Sequence, residues 1–342
     1  MTTSVAIIGS GFGMYGLLPA FSQIEGCKVV SICGKKSKRM LEYCKKLNLN
    51  LYTNWKEMLQ KEQPNAIAIA VIPIYQYEIA KYALENGIAV FAEKPLTSSY
   101  RTALEINTLA KQKGLPNMLD FIFPEIPEWK EVKKIIDAGL IGNIIKINVD
   151  WMFLSYDLKN QIKSWKTDVK QGGGALSHFF SHTFYYLEYF MGEITSVKCS
   201  FSSSKKSLNR GETGIDMTIL FENGCLGNAH MDISYTGRQK HAIEFHSEKE
   251  SIKLESNSDN FVDSFELTIN TIKGTQKIKA ENTLSTHTSD SEDPRIKVIR
   301  PIAERFINWC NTGIPAKPDF QDGLRVQKLI EMARESSRFL TK

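Results

Sequence analysis

The sequence predicts an α/β protein in two parts: a doubly wound parallel sheet, then a second α/β region built on a mostly antiparallel sheet. Three observations predict it. Up to about residue 122, short apolar runs alternate with helical patterns, which implies parallel strands covered on both faces. Beyond residue 123, strand-like runs follow one another with only turns between them. The chain's 342 residues also exceed one ordinary core, so we expect domains at 1–122 and 123–342.

The elements follow in order. SVAII (4–8) reads as a buried strand, and FGMYGLLPAF continues it as a helix. KVVSIC (28–33) is the second strand, followed by a helix through RMLEYCKKL. NAIAIAV (65–71) is the third, and YQYEIAKYALENG a helix closed by Gly87. IAVFA (88–92) is the fourth, with a helix to Gly114 after it, and LPNMLDF the fifth. Then come a helix around EWKEVKKIIDAG, the strand NIIKINVDWMF, a loop and a histidine-bearing helix. ITSVKCSF, DMTILFENGCLGNAHMDIS with its hairpin at Asn223–Gly224, HAIEFHS, ESIKLES and FELTINTIKGTQKIKA supply the antiparallel strands. STHTSDSEDP (285–294) reads as a loop before two closing helices.

Composition excludes several classes. A net charge of +5 is too small and too spread for a nucleic-acid footprint. The basic residues cluster only in GKKSKR and in loops such as SSSKKSLNR. Cys27, Cys33, Cys44, Cys199, Cys225 and Cys310 form no CxxC pair, which argues against a zinc ribbon or disulfide framework and suits a reducing cytosol. No basic flank precedes the first apolar run, and AIAIAVIPIY is about half a membrane span, so the expected setting is cytoplasmic, with no membrane partner.

GSGFGMYG (9–16) follows a strand and opens a helix, as a dinucleotide fingerprint requires. Gly9 permits the tight turn, and Gly11 lets the backbone approach a pyrophosphate. Phe12, Gly13 and Met14 complete the loop; Met14 stands where the third glycine is expected, with Gly13 and Gly16 on either side. A glycine-rich turn without a nucleotide is the ordinary alternative. An NAD site usually has an acid at the end of the second strand, to bind the ribose hydroxyls. Here Gly34 is followed by Lys35, Lys36, Ser37, Lys38 and Arg39, which suits a ribose 2′-phosphate, and NADP is expected over NAD. A solvated helix start is the other reading, although cations at a helix N-terminus oppose its dipole.

FAEKPL (91–96) ends the fourth strand, where Lys94 would point into a ligand crevice and Pro95 restricts its backbone. A surface lysine in a turn is the commoner fate. The glycine loop, AIAVIPIYQYEIAKYALENGIAVFAEKPL, W-K-x-D before GGGAL and a histidine, and the closing DFQDGLRVQKLIEMARESS together resemble the glucose–fructose oxidoreductase/inositol dehydrogenase/MocA family. That resemblance covers nearly the whole chain. It implies a Rossmann domain, a C-terminal α/β domain on a large open sheet, and a homodimer or homotetramer formed through that sheet. It also implies hydride transfer between NAD(P) and a hydroxyl-bearing carbon of a sugar, cyclitol or nucleotide-linked sugar. Lys94 falls on the family's catalytic lysine, with a peptide to Pro95 that is often cis. Glu93 and Pro95 beside it, and Ile72, Pro73 and Tyr77 in the third-strand turn, are expected to line the cofactor.

GGGALSHFFSH (172–182) places His178 and His182 four residues apart. Two imidazoles at that spacing can hold a metal, fill a core, or move a proton. No glutamate completes HExxH and no third ligand is evident, so no metal is expected. The resemblance aligns His182 with the family's acid/base histidine and puts His178 where an aspartate is usual. Tyr185 takes the place of a second acid. His178, His182, Tyr185 and Tyr189 are expected on the cleft face, and Phe180, Phe184, Leu187 and Met191 on the core side. Trp165, Lys166 and Asp168 match a loop that borders substrate in the family, and Tyr156 is a spare hydroxyl. Tyr77 and Ile122 replace a histidine and an arginine of the family, which casts doubt on the usual polyol substrates. The rival to an oxidoreductase is a regulatory homologue that binds NADP without turnover.

Overall fold

A computed structural model describes residues 2–205, 207, 209, 211–282, 284 and 292–340. The predicted loop at 285–294 lies, as far as residue 291, outside the described residues, as do parts of SSSKKSLNR. β1 (Thr3–Ile8) is the apolar run TSVAII and is almost wholly buried. A π-helical turn at Gly13–Leu17 leads into α1 (Leu18–Ser22). β2 (Cys27–Cys33) and α2 (Lys38–Leu47) follow, the helix capped by Ser37 Oγ accepting from Met40 N.

In this first third, two elements were not expected. They are β3 (Asn50–Tyr52), a three-residue strand, and α3 (Trp55–Glu62), whose cap Asn54 accepts from Lys56 N and Glu57 N. β4 (Ala66–Ile69), α4 (Pro73–Glu85), β5 (Ala89–Ala92), α5 (Tyr100–Lys113) and β6 (Asn117–Leu119) then match the predicted order. The six strands are all parallel in the order β3-β2-β1-β4-β5-β6. The order reverses direction between β1 and β4, and in such sheets ligands bind beyond the carboxyl ends of the strands at that switch.

Gly9 stands at the carboxyl end of β1 with φ of 140°, a conformation open essentially to glycine alone. A Cβ there would also collide with the Ala70 carbonyl oxygen at the end of β4. We therefore expect Gly9→Ala to cost about 3 kcal/mol from strain and overpacking together. Denaturant titration of the two proteins checks this, and equal midpoints would refute the account.

The chain continues with α6 (Pro127–Asp137), β7 (Ile144–Met152), the short α7 (Tyr156–Lys159) and a π-helical turn, Leu176–Phe180, that runs into α8 (Ser181–Met191). Seven strands come next: β8 (Ile194–Ser202), β9 (Gly214–Phe221), β10 (Leu226–Asp232), β11 (Lys240–Ser247), β12 (Ser251–Ser256), β13 (Glu266–Thr271) and β14 (Gly274–Ile278). α9 (Ile296–Thr312), α10 (Phe320–Ser336) and the edge strand β15 (Arg338–Leu340) close it. The second sheet has nine strands in the order β14-β13-β12-β11-β7-β10-β9-β8-β15. Only β7–β10 and β8–β15 pair in parallel; the rest is antiparallel, with β9 and β10 joined at the predicted Asn223–Gly224 hairpin.

The chain divides into two compact units, Met1–Ile122 with Ser285–Gln327, and Phe123–Leu284 with Lys328–Lys342. Relative to the expected split into 1–122 and 123–342, this division groups α9 and the first turns of α10 with the parallel sheet. The reason is aromatic packing. Phe306 of α9 lies edge-on to Phe91 of β5 at 5.7 Å and to Phe21 of α1 at 6.3 Å.

Candidate active site

In the first unit the glycine loop shows the geometry a bound pyrophosphate needs. Gly9 N donates to Cys33 O at 2.9 Å, which ties the loop to the end of β2. A Cβ on Gly11 would have no atom within 4 Å, so the backbone there faces open space. Phe12 turns its ring over Gly16, where a Cβ would press on it. Gly13 and Met14 are buried in the π-helical turn, so Met14 fills a packing position. After Gly34, whose N–H donates to Tyr52 O at 2.9 Å, Lys35, Lys36, Ser37 and Arg39 are all exposed. The Arg39 guanidinium lies 6.0 Å from the Tyr15 ring and 5.9 Å from that of Tyr43.

Lys94 follows β5 and is half-buried, and its peptide to Pro95 is cis. A residue that sequence reasoning missed holds this turn. Gln76 of α4, 1% exposed, donates through Nε2 to Glu93 O at 2.6 Å, Pro95 O at 3.0 Å and Leu96 O at 3.1 Å. Three carbonyls on one buried amide fix the backbone that carries Lys94. Ile72 caps α4 and Pro73 opens it. Tyr77, expected to line the cofactor, instead gives its hydroxyl to Glu105 of α5 at 2.7 Å, and that bond raises its pKa. A second missed residue is Arg295, just before α9. Its guanidinium lies 4.3 Å from the Phe12 ring centroid and pairs with Asp293 at 2.6 Å. Burial pushes the Asp293 carboxyl up, but the Arg295 hydrogen bonds and charge outweigh it and hold the group below its ordinary range.

In the second unit a closed set of backbone contacts shapes the glycine-rich turn. Gly174 N donates to Lys166 O, Gly173 N to Asp168 O, and a Cβ on Gly173 would strike the Trp165 carbonyl. The W-K-x-D segment and the three glycines are therefore one packed loop. Asp168 caps it by accepting from Lys170 N and Gln171 Nε2. Glu212, 1% exposed on its side chain, accepts from Leu176 N at 3.3 Å and pairs with Arg334 at 3.2 Å. Burial pushes its carboxyl up despite the Arg334 charge beside it. An acid at this helix start supports the turn that carries the histidines.

The histidines sit in different surroundings. His178 is half-buried, edge-on to Trp165 at 5.1 Å, while His182 is buried and edge-on to Phe123 at 5.1 Å. His178 lies in the π-helical turn and His182 in the first turn of α8. Phe180, Phe184, Leu187 and Met191 are buried as expected, joined by Tyr186 and Phe190. Tyr185 is half-buried, and Tyr189 has Lys133 5.6 Å from its ring. The histidine that fills a core is His241. It stacks on Trp151 at 4.3 Å, and burial drives its pKa down to about 3. Lys166 lies 3.9 Å from the buried Asp157 carboxylate, and Tyr156 is 70% exposed. Among the described residues no three His, Cys, Asp or Glu side chains gather to hold a metal ion, and no helix is long and apolar enough to cross a membrane.

Known proteins are similar to this chain in sequence or in fold. An uncharacterized oxidoreductase of Synechocystis sp. is 26% identical over 348 aligned residues, covering 97% of this chain and 93% of its own. A levoglucosan dehydrogenase solved with NADH and levoglucosan superposes with a TM-score of 0.84 at 21% identity, over 98% of this chain and 97% of its own. A 3-ketoreductase from Actinomadura kijaniata solved with NADP and TDP-benzene gives 0.82 at 18%, over all of both chains. Residues 3–121 match the model of an oxidoreductase family's NAD-binding Rossmann fold, and residues 133–339 that family's C-terminal alpha/beta domain. The chain belongs to the Gfo/Idh/MocA oxidoreductase family.

Proposed function

We propose that this oxidoreductase prefers NADP and transfers a hydride between the nicotinamide and a hydroxyl or keto carbon of a sugar or sugar derivative. The observation that carries the cofactor preference is the exposed run after β2, with cations at Lys35, Lys36, Lys38 and Arg39 and no acid among them. Gly9, Gly11, Phe12 and Gly13 would hold the pyrophosphate on backbone N–H groups, and Lys35, Lys36, Ser37 and Arg39 the 2′-phosphate. When bound, the nicotinamide supplies or accepts the hydride. Lys94 and His182 exchange the proton of the substrate hydroxyl, each as general acid or base. Trp165, His178 and Tyr156 offer ring faces and hydroxyl or imidazole groups to a sugar. Lys166 lies against the Asp157 carboxylate, so its charge is already partly engaged. The matched levoglucosan dehydrogenase acts on a sugar-type molecule by its name, which supports this substrate class over a regulatory role without turnover.

Parallel titrations with NADPH and NADH, followed by tryptophan fluorescence, test the preference. NADPH should bind at least about tenfold more tightly, one charge-assisted contact being worth about 1.5–3 kcal/mol. Reversing Lys35 and Lys36 to Glu should abolish the difference. Equal binding of NADH by the unaltered protein would reduce the basic run to an exposed helix start.

A further inference from the structure

Lys94 has a buried acidic neighbour that the proposed reaction does not use. β5 and β6 run parallel with Ala92 paired to Leu119, so the next residues, Glu93 and Asp120, leave the sheet side by side. Asp120 N donates to Ala92 O at 3.1 Å, which anchors the position. The Asp120 carboxyl is 2% exposed, and its Oδ1 meets no hydrogen-bond partner among the described residues. Three ionisable groups face it: Glu93 and Lys94 from the end of β5, and Arg295 from the start of α9. Arg295 is already engaged by Asp293. Burial first, then the charge of Glu93 and a hydrogen bond with it, push the Asp120 carboxyl well above its ordinary range. The charges of Lys94 and Arg295 act the other way and do not cancel this.

We propose that Asp120 is a positioning residue for Lys94: its carboxyl keeps a proton and donates it to Glu93, so that the two acids present one negative charge to the lysine instead of two. Two ionised carboxylates beside an ammonium would hold its proton too firmly for it to serve as a donor. With one charge, spread over a hydrogen-bonded pair, Lys94 stays charged yet able to give up its proton. The inference rests on the reading of Lys94 as the proton-handling group.

The test reads the lysine directly and needs no substrate. The full-length protein is labelled with acetic anhydride across a pH series, and the extent of reaction at Lys94 is read by peptide mass spectrometry. Asp120→Asn keeps a donor to Glu93 and cannot ionise, so its Lys94 curve should coincide with wild type around neutral pH. A downward shift of about one unit in the Asn variant would mean that Asp120 is ionised in wild type, and overturns the proposal. Asp120→Ala removes the donor and should move the curve upward by up to about one unit; no movement means that Asp120 does not position Lys94.

Melting temperatures give a second reading that survives if the Ala variant fails to fold. A carboxyl whose folded pKa is raised loses stability relative to a neutral amide as pH climbs from its unfolded value, 3.8, through its folded one. The stability of Asp120→Asn relative to wild type should therefore be constant below pH 3.8 and rise toward neutrality. A difference that stays constant with pH overturns proton retention. Loss of turnover in lysine variants bears on the reaction reading, while these curves bear on Asp120, so either can fail alone.

Discussion

Replacing Lys94 with Met should lower kcat by about 10²- to 10⁴-fold while leaving NADPH affinity and the melting temperature close to wild type. Met keeps most of the side chain's length and apolar stem and deletes only the ammonium. The backbone of the turn does not depend on that group, because Gln76 holds the carbonyls of Glu93, Pro95 and Leu96. The loss corresponds to about 3–5 kcal/mol of barrier, the size expected of one positioned proton-transfer group. Steady-state kinetics on a panel of sugars and sugar derivatives, with NADPH titration of the same samples, checks it. Turnover within about twofold of wild type would remove Lys94 from the chemistry, since a peripheral lysine is worth far less than one catalytic group. A large loss of cofactor affinity would instead make Lys94 a binding residue.

What the sequence could disclose depended on how local the cause was. β1, β4 and β5 are apolar runs bounded by turn residues, and the glycine loop and FAEKPL announce themselves within eight residues or fewer. β3 escaped because three residues, NLY, carry no periodicity, and its place at the sheet edge is set by pairing with β2. Gln76 was illegible for a different reason. A polar residue inside a helix says nothing about carbonyls some twenty residues away, and only the folded turn shows that its amide meets three of them. Arg295 and Asp120 likewise acquire meaning from neighbours remote in the chain, Phe12 for one and Glu93 for the other. The spacing predicts the histidine helix, and a helix is there, opened by a π-helical turn. A π-helical turn leaves no mark on hydrophobic spacing, and nothing local announces the different ring partners of His178 and His182. The signal that could have helped was the glycine triplet, since a tightly packed turn just before a helix constrains its first residues.

His182→Asn should also lower turnover by about 10²- to 10⁴-fold, and the comparison that gives this force is His241. Both imidazoles are buried and both lie edge-on to Phe123, at 5.1 Å for His182 and 5.0 Å for His241. If ring packing were all that either supplied, replacing them should have similar consequences. His241 is wholly enclosed, stacked on Trp151, with its pKa driven down to about 3, so it cannot carry a proton near neutrality. His241→Phe keeps the stack and should leave kcat near wild type, with any cost appearing as stability because Tyr186 loses a partner at 3.3 Å. His182→Asn should show the opposite pattern, a melting temperature close to wild type with kcat reduced. Equal kinetic losses in the two variants would return His182 to a packing role. The double variant Lys94→Met/His182→Asn adds the last discrimination. If the two groups handle the same proton, its loss should scarcely exceed the larger single loss, because residues that act as a unit do not contribute additively. If the losses multiply, they serve separate steps, and His182 would then belong to substrate orientation and not to the proton that Lys94 moves.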